Sequence, residues 1–210
     1  MPPARVTDHR LLVLHTLRLS GFVAADTVAE RTGIDEPAVQ QMLEEAAADG
    51  YVAQRSGRIS GWILTPDGRE VHARMLADEL AESGCRGEVE AANEAFLALN
   101  EPFKQICTRW QLRPDGSPND HGDAGYDAAV VADLERLHPR AVAVTDDLAG
   151  LLPRFARYRH DFTAALDRLQ GGDKRALAAP LARSYHDHWM ELHQDLLSTL
   201  GRERSSADGH

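Results

Sequence analysis

The chain holds little cysteine, no long apolar run and a shortage of positive charge. Cys85 and Cys107 are its only thiols among 210 residues, far apart and without C-x-x-C spacing. That pattern argues against a thiolate metal site and fits a reducing compartment. No apolar stretch approaches the ~20 residues that a membrane-spanning helix needs. The opening Met1-Pro2-Pro3-Ala4-Arg5 lacks the apolar stretch of a secretory leader, so a cytoplasmic, non-membrane protein is expected. A G-x-S-x-G turn, a glycine-rich phosphate loop followed by lysine and an H-E-x-x-H pair are all missing, so the expectation is a protein that is not an enzyme and needs no cofactor. With 23 Lys+Arg against 33 Asp+Glu, the net charge is -10. A polyanionic partner would therefore have to meet a local basic surface.

Helical periodicity is what the chain has in quantity. Leu11, Leu12, Leu14, Leu17 and Leu19 make a broad apolar helix after Asp8 as N-cap, with Gly21 as its stop. Thr27 to Thr32 reads as a short helix ended by Gly33. Asp35 caps a third helix with Pro37 in its first turn, and Val39, Leu43 and Ala46 recur at the spacing of one buried face. Tyr51-Val52-Ala53-Gln54-Arg55 and Ile59 to Leu64 then read as two short strands around Ser56-Gly57-Arg58. Thr65 caps a further helix from Pro66 to Leu80, and a break follows at Ser83-Gly84.

Helix, helix, helix, hairpin, helix is the order of a winged helix-turn-helix. Trp62-Ile63-Leu64-Thr65-Pro66-Asp67-Gly68-Arg69 resembles the end of the wing in MarR-type transcriptional regulators, and Ala46-Ala47-Ala48-Asp49-Gly50-Tyr51-Val52 resembles the end of their recognition helix. The likeness covers about a third of the chain. It implies that the third helix enters a major groove of double-stranded DNA, with Glu36, Gln40, Gln41 and Glu44 facing base edges while Arg55 and Arg58 on the wing hold the backbone. One departure stands out: between Asp35 and Asp49 there is no lysine or arginine, and Glu36, Glu44 and Glu45 put negative charge where a polyanion would dock.

From residue 85 onward nothing alternates with period two, and the pattern predicts four to six helices. Pro102 reads as a new turn or kink, His138-Pro139 as a break, Arg113 to Asp123 as a long polar loop, and Gly171-Gly172-Asp173 as a helix stop. The last helix is expected to carry Pro180 near its start or at a kink, with Leu181, Tyr185, Trp189, Leu192, Leu196 and Leu200 as its apolar stripe. Its helix, Gly172-Asp173, helix rhythm with His186 following is similar to the helical effector domains of GntR-type repressors. Phe162 stands where those domains carry a metal-binding histidine, so the likeness implies architecture and not a metal site.

The fold class is thus mainly α: a winged helix-turn-helix over 1-84, an all-helical dimerisation or effector domain over 85-201, and a flexible tail over 202-210. Trp110, Tyr126, Tyr158, Tyr185 and Trp189 are the candidates to line a pocket for a small-molecule effector. His121 and Asp123 on the loop, with His186 and His193 seven residues apart on one helical face, are weak candidates for a metal. Together these features suggest a homodimeric DNA-binding transcriptional regulator. The alternatives are a winged-helix protein-interaction module without DNA binding and a helical metal-binding enzyme.

Overall fold

The computed structural model describes residues 7-57 and 60-202. The chain is mainly helical with one two-stranded antiparallel sheet, and it divides into two compact units. One is built on residues 1-86 and the other on residues 87-196; the closing turn of the last helix, from Leu197, counts with the first. No described helix is long and apolar enough to cross a membrane.

The first unit runs α1 (His9–Ser20), α2 (Ala25–Thr32), α3 (Glu36–Ala48), β1 (Val52–Arg55), β2 (Gly61–Leu64) and α4 (Pro66–Ser83). Local signals set most of these ends. The Asp8 carboxylate accepts from the Arg10 amide at 2.6 Å at the start of α1, and Gly33 ends α2 in the left-handed conformation. Val39, Leu43 and Ala46 of α3 are buried with Leu14, Leu17, Val28, Val52, Trp62 and Leu64 in one core. The strands pair from Val52 opposite Leu64 to Arg55 opposite Gly61. Arg58 and Ile59, which the sequence places in the turn and at the start of the second strand, lie outside the described residues.

Two features of this unit were not anticipated. Val23, in the link between α1 and α2, exchanges backbone hydrogen bonds with Trp62, at 3.2 Å and 2.8 Å, and so adds a one-residue third rung to the hairpin. The Thr65 hydroxyl accepts from the Gly68 amide at 3.0 Å and donates to the Gly50 carbonyl at 2.7 Å, tying the start of α4 to the end of α3.

The second unit holds α5 (Arg86–Gln111), α6 (Ala124–Leu151), a 3-10 turn (Pro153–Phe155), α7 (Ala156–Gln170), α8 (Arg175–Ala178) and α9 (Tyr185–Leu200). Pro102 and Pro139 do not break their helices: α5 and α6 continue through them. Both prolines are exposed, and so are Ala98 and Glu135 four residues earlier, whose carbonyls lose their amide partner there. The last helix also begins later than its apolar stripe suggests. Pro180 and Leu181 lie before it, and Leu181 is almost fully exposed. The start is set instead by Ser184, whose hydroxyl accepts from the Asp187 amide at 3.1 Å while the Asp187 carboxylate accepts from the Ser184 amide at 3.0 Å. That reciprocal pair is a capping box.

Candidate functional site

Of the residues expected to meet DNA, Arg58 lies outside the described residues, and the others sit on α3 and at the end of β1. Glu36, Gln41 and Glu44 are exposed on α3, Gln40 is half-buried, and Arg55 is exposed at the end of β1. Helical spacing also sets what the glutamines do. The Gln40 amide donates to Glu44 at 2.7 Å and the Gln41 amide to Glu45 at 2.8 Å, each across one turn. Donors that would read a base edge are thus engaged with carboxylates of their own helix. Deeper in this unit His15 of α1 and His72 of α4 are both buried, with Nδ1 and Nε2 2.9 Å apart and the rings nearly parallel.

In the second unit the long loop between α5 and α6 is held by a polar cluster. Asn119 is buried; its amide donates to the Trp110 carbonyl at 3.1 Å and to Asp127 at 3.0 Å. His121 Nδ1 lies 3.0 Å from the Asp127 carboxylate, the His121 ring packs on Trp110, and Lys174 donates to the His121 carbonyl at 2.7 Å. Burial acts to raise the Asp127 carboxyl, but hydrogen bonds from Asn119 and His121 and the charge of Lys174 outweigh it and hold it below its usual range. Asp123 caps α6, accepting from the Gly125 and Tyr126 amides, and pairs with Arg113 at 3.3 Å. His121 sits at φ 60, an uncommon conformation for a side-chain-bearing residue.

The five aromatic pocket candidates occupy different settings. Trp110 and Tyr126 belong to the loop cluster, where the Tyr126 hydroxyl donates to the Leu112 carbonyl at 3.0 Å. Tyr185 and Trp189 stack with Phe96, Phe103 and Phe162 in the aromatic core. Tyr158 is buried in an ionic network between α7 and α9: its hydroxyl donates to Asp195 at 2.9 Å, Arg154 pairs with the same carboxylate, and Arg157 pairs with Glu191 at 3.0 Å. Burial pushes the Tyr158 hydroxyl well above its usual range, so it stays a neutral donor.

The metal candidates His121, Asp123, His186 and His193 have other surroundings. His186 packs on Phe103 and His193 on Phe96, while His121 and Asp123 have the partners described above. Among the described residues no group of three or more His, Cys, Asp or Glu side chains is placed to hold a metal ion. Both cysteines are buried and unbonded to each other, and burial pushes the Cys107 thiol up to about 12, which leaves it unreactive at neutral pH.

No family model, curated protein or solved structure matches this chain. Its own geometry therefore carries the reading. Two constellations escaped the sequence reading. Arg154, Arg157, Tyr158 and Asp161 recur at helical spacing along an otherwise apolar stripe, and charged residues on a core-facing stripe are a readable signal of a buried network. The other is a groove of about 270 Å³ between α5 and α6, lined by Pro102, Gln105, Ile106 and Arg109 on one side and Asp133, Arg136, Leu137 and Arg140 on the other. Each set follows an i, i+3, i+4, i+7 pattern, the signature of a single helix face.

Proposed function

We propose that this chain is a DNA-binding transcriptional regulator whose first unit is a winged helix-turn-helix and whose helical unit dimerises or senses a small molecule. The observation that carries the reading is the arrangement around the hairpin: three helices precede β1 and β2, α4 follows, and Val23 joins Trp62 as a third rung. A winged helix-turn-helix needs a helix free to enter a major groove and a hairpin beside it; the exposed Glu36, Gln41 and Glu44 of α3 and the exposed Arg55 at the end of β1 support that reading. Two such units in a homodimer would read two half-sites of a palindrome.

A second reading, a protein-interaction module of the same fold, draws on the acidic face of α3 and its glutamines bonded to Glu44 and Glu45. Salt separates the two. Purified protein is incubated with a pool of genomic DNA fragments at low and moderate salt, alongside the Arg55→Ala/Arg58→Ala variant. A regulator retains a sequence-selective subset, loses affinity steeply as salt rises, and loses roughly one unit of the log-log salt slope for each phosphate-binding arginine removed. Retention of no fragment by the folded protein, or retention that ignores both salt and the two arginines, would move the assignment to the interaction module.

A further inference from the structure

The groove between α5 and α6 concentrates positive charge in a strongly acidic chain. Arg109, Arg136 and Arg140 line it, against a single carboxylate, Asp133. That carboxylate already shows what the groove can hold: one of its oxygens accepts from Arg109 on α5 and the other from Arg136 on α6, so a carboxylate bridges the two walls. Burial acts to raise Asp133, but its two arginines outweigh this and hold it below the usual carboxylate range. One turn further along α6, Arg140 is exposed and has no carboxylate partner among the described residues. Between the charged groups, Pro102, Ile106 and Leu137 supply apolar surface, and Ile106 and Leu137 are themselves buried. A cavity of about 150 Å³ suffices for benzene, so a groove of about 270 Å³ has room for a ring with a charged head.

We propose that this groove binds a small organic oxyanion, its carboxylate or phosphate head held by Arg136 and Arg140 and its apolar body laid against Ile106, Leu137 and Pro102. The guanidinium fork matches both head groups and stays charged at every relevant pH, which is why arginine suits this role better than lysine. The apolar floor is what distinguishes an organic anion from a simple ion. Nothing in the assignment depends on whether the first unit binds DNA.

The test is an NMR titration of the full-length, nitrogen-15-labelled protein with benzoate, phenyl phosphate, acetate and benzyl alcohol. Benzoate and phenyl phosphate are expected to give saturable shifts confined to residues 102-109 and 133-140, and whichever saturates first identifies the head group. Acetate should bind roughly tenfold more weakly for want of the apolar contact, and benzyl alcohol should leave these residues unmoved. Arg140→Ala, which breaks no ion pair, should weaken the tighter probe by roughly tenfold. Asp133→Asn should tighten it, because it frees Arg109 and Arg136 from their resident carboxylate. No saturable shift from either aromatic anion would overturn the proposal. So would equal binding by acetate or benzyl alcohol, or wild-type affinity in Arg140→Ala.

Discussion

A methyl group on residue 68 would lie 1.8 Å from the Tyr51 carbonyl oxygen, a distance no packed structure tolerates. Gly68 sits in the first turn of α4, where its amide is taken by the Thr65 hydroxyl, and Tyr51 opens the hairpin. The glycine in Thr65-Pro66-Asp67-Gly68 is therefore there for close backbone approach and not for a turn, since no left-handed torsion is involved. Backbone cannot swing aside as a flexible side chain does. Gly68→Ala should destabilise the first unit by the ~1-3 kcal/mol typical of overpacking, measured as a lower urea midpoint by fluorescence of a Trp110→Phe/Trp189→Phe background in which Trp62, buried in that unit, is the remaining tryptophan. An unchanged midpoint would mean that α4 slides outward at no cost, and that the tie between Thr65 and the end of α3 is dispensable.

At the scale of the element, what could be read in the sequence was what is local. Asp8 and Thr65 cap helices with their own side chains, Gly33 and Gly171 end them, and the α3 stripe packs as its spacing requires. Asp35 stands at the start of α3 but its side chain makes no capping bond, whereas Asp123, read as a metal candidate, caps α6. Ser184-x-x-Asp187 was equally local, yet the apolar stripe starting at Leu181 drew attention upstream of it. The break expected at His138-Pro139 is absent because α6 runs through an exposed Pro139, and exposure is not visible in a sequence; α5 likewise continues through Pro102, so no new helix starts there. Of the candidate sites, residues on one helix face were legible and the partners across faces were not. The link from Arg154 to Asp195 and the bridge from Asp133 to Arg109 each join residues on different helices, brought together only by tertiary packing. These causes give two expectations for thermal unfolding. Ser184→Ala should lower stability by about 1 kcal/mol through loss of the cap. Pro139→Ala should raise it, by as much as ~3 kcal/mol, because an exposed mid-helix proline is replaced by the best helix former; a lower melting temperature for Pro139→Ala would show that the proline ring itself stabilises α6.

For the whole molecule, the charge balance couples stability to pH through the histidines. The net charge of -10 counts all ten histidines as neutral, so acidification brings the chain closer to neutrality and weakens its repulsion from a polyanion. The same protons oppose folding of the helical unit. Burial lowers His138, His186 and His188 below the ordinary value of 6.5; for His188 the charges of Asp161 and Glu191 pull the other way without winning. A histidine whose folded value is depressed binds its proton more readily in the unfolded chain. Its contribution to stability is therefore complete above about pH 6.5 and is lost as pH falls through the folded value. The urea midpoint, followed by tryptophan fluorescence, should accordingly drop between pH 7.5 and pH 5.5, well above the range in which Asp133, held low by Arg109, and Asp127, held low by Asn119 and His121, begin to protonate. His188→Gln should flatten that drop, since it removes a buried group that must charge. A midpoint independent of pH over this interval, or a His188→Gln variant with the wild-type slope, would mean that these rings already reach water in the folded protein.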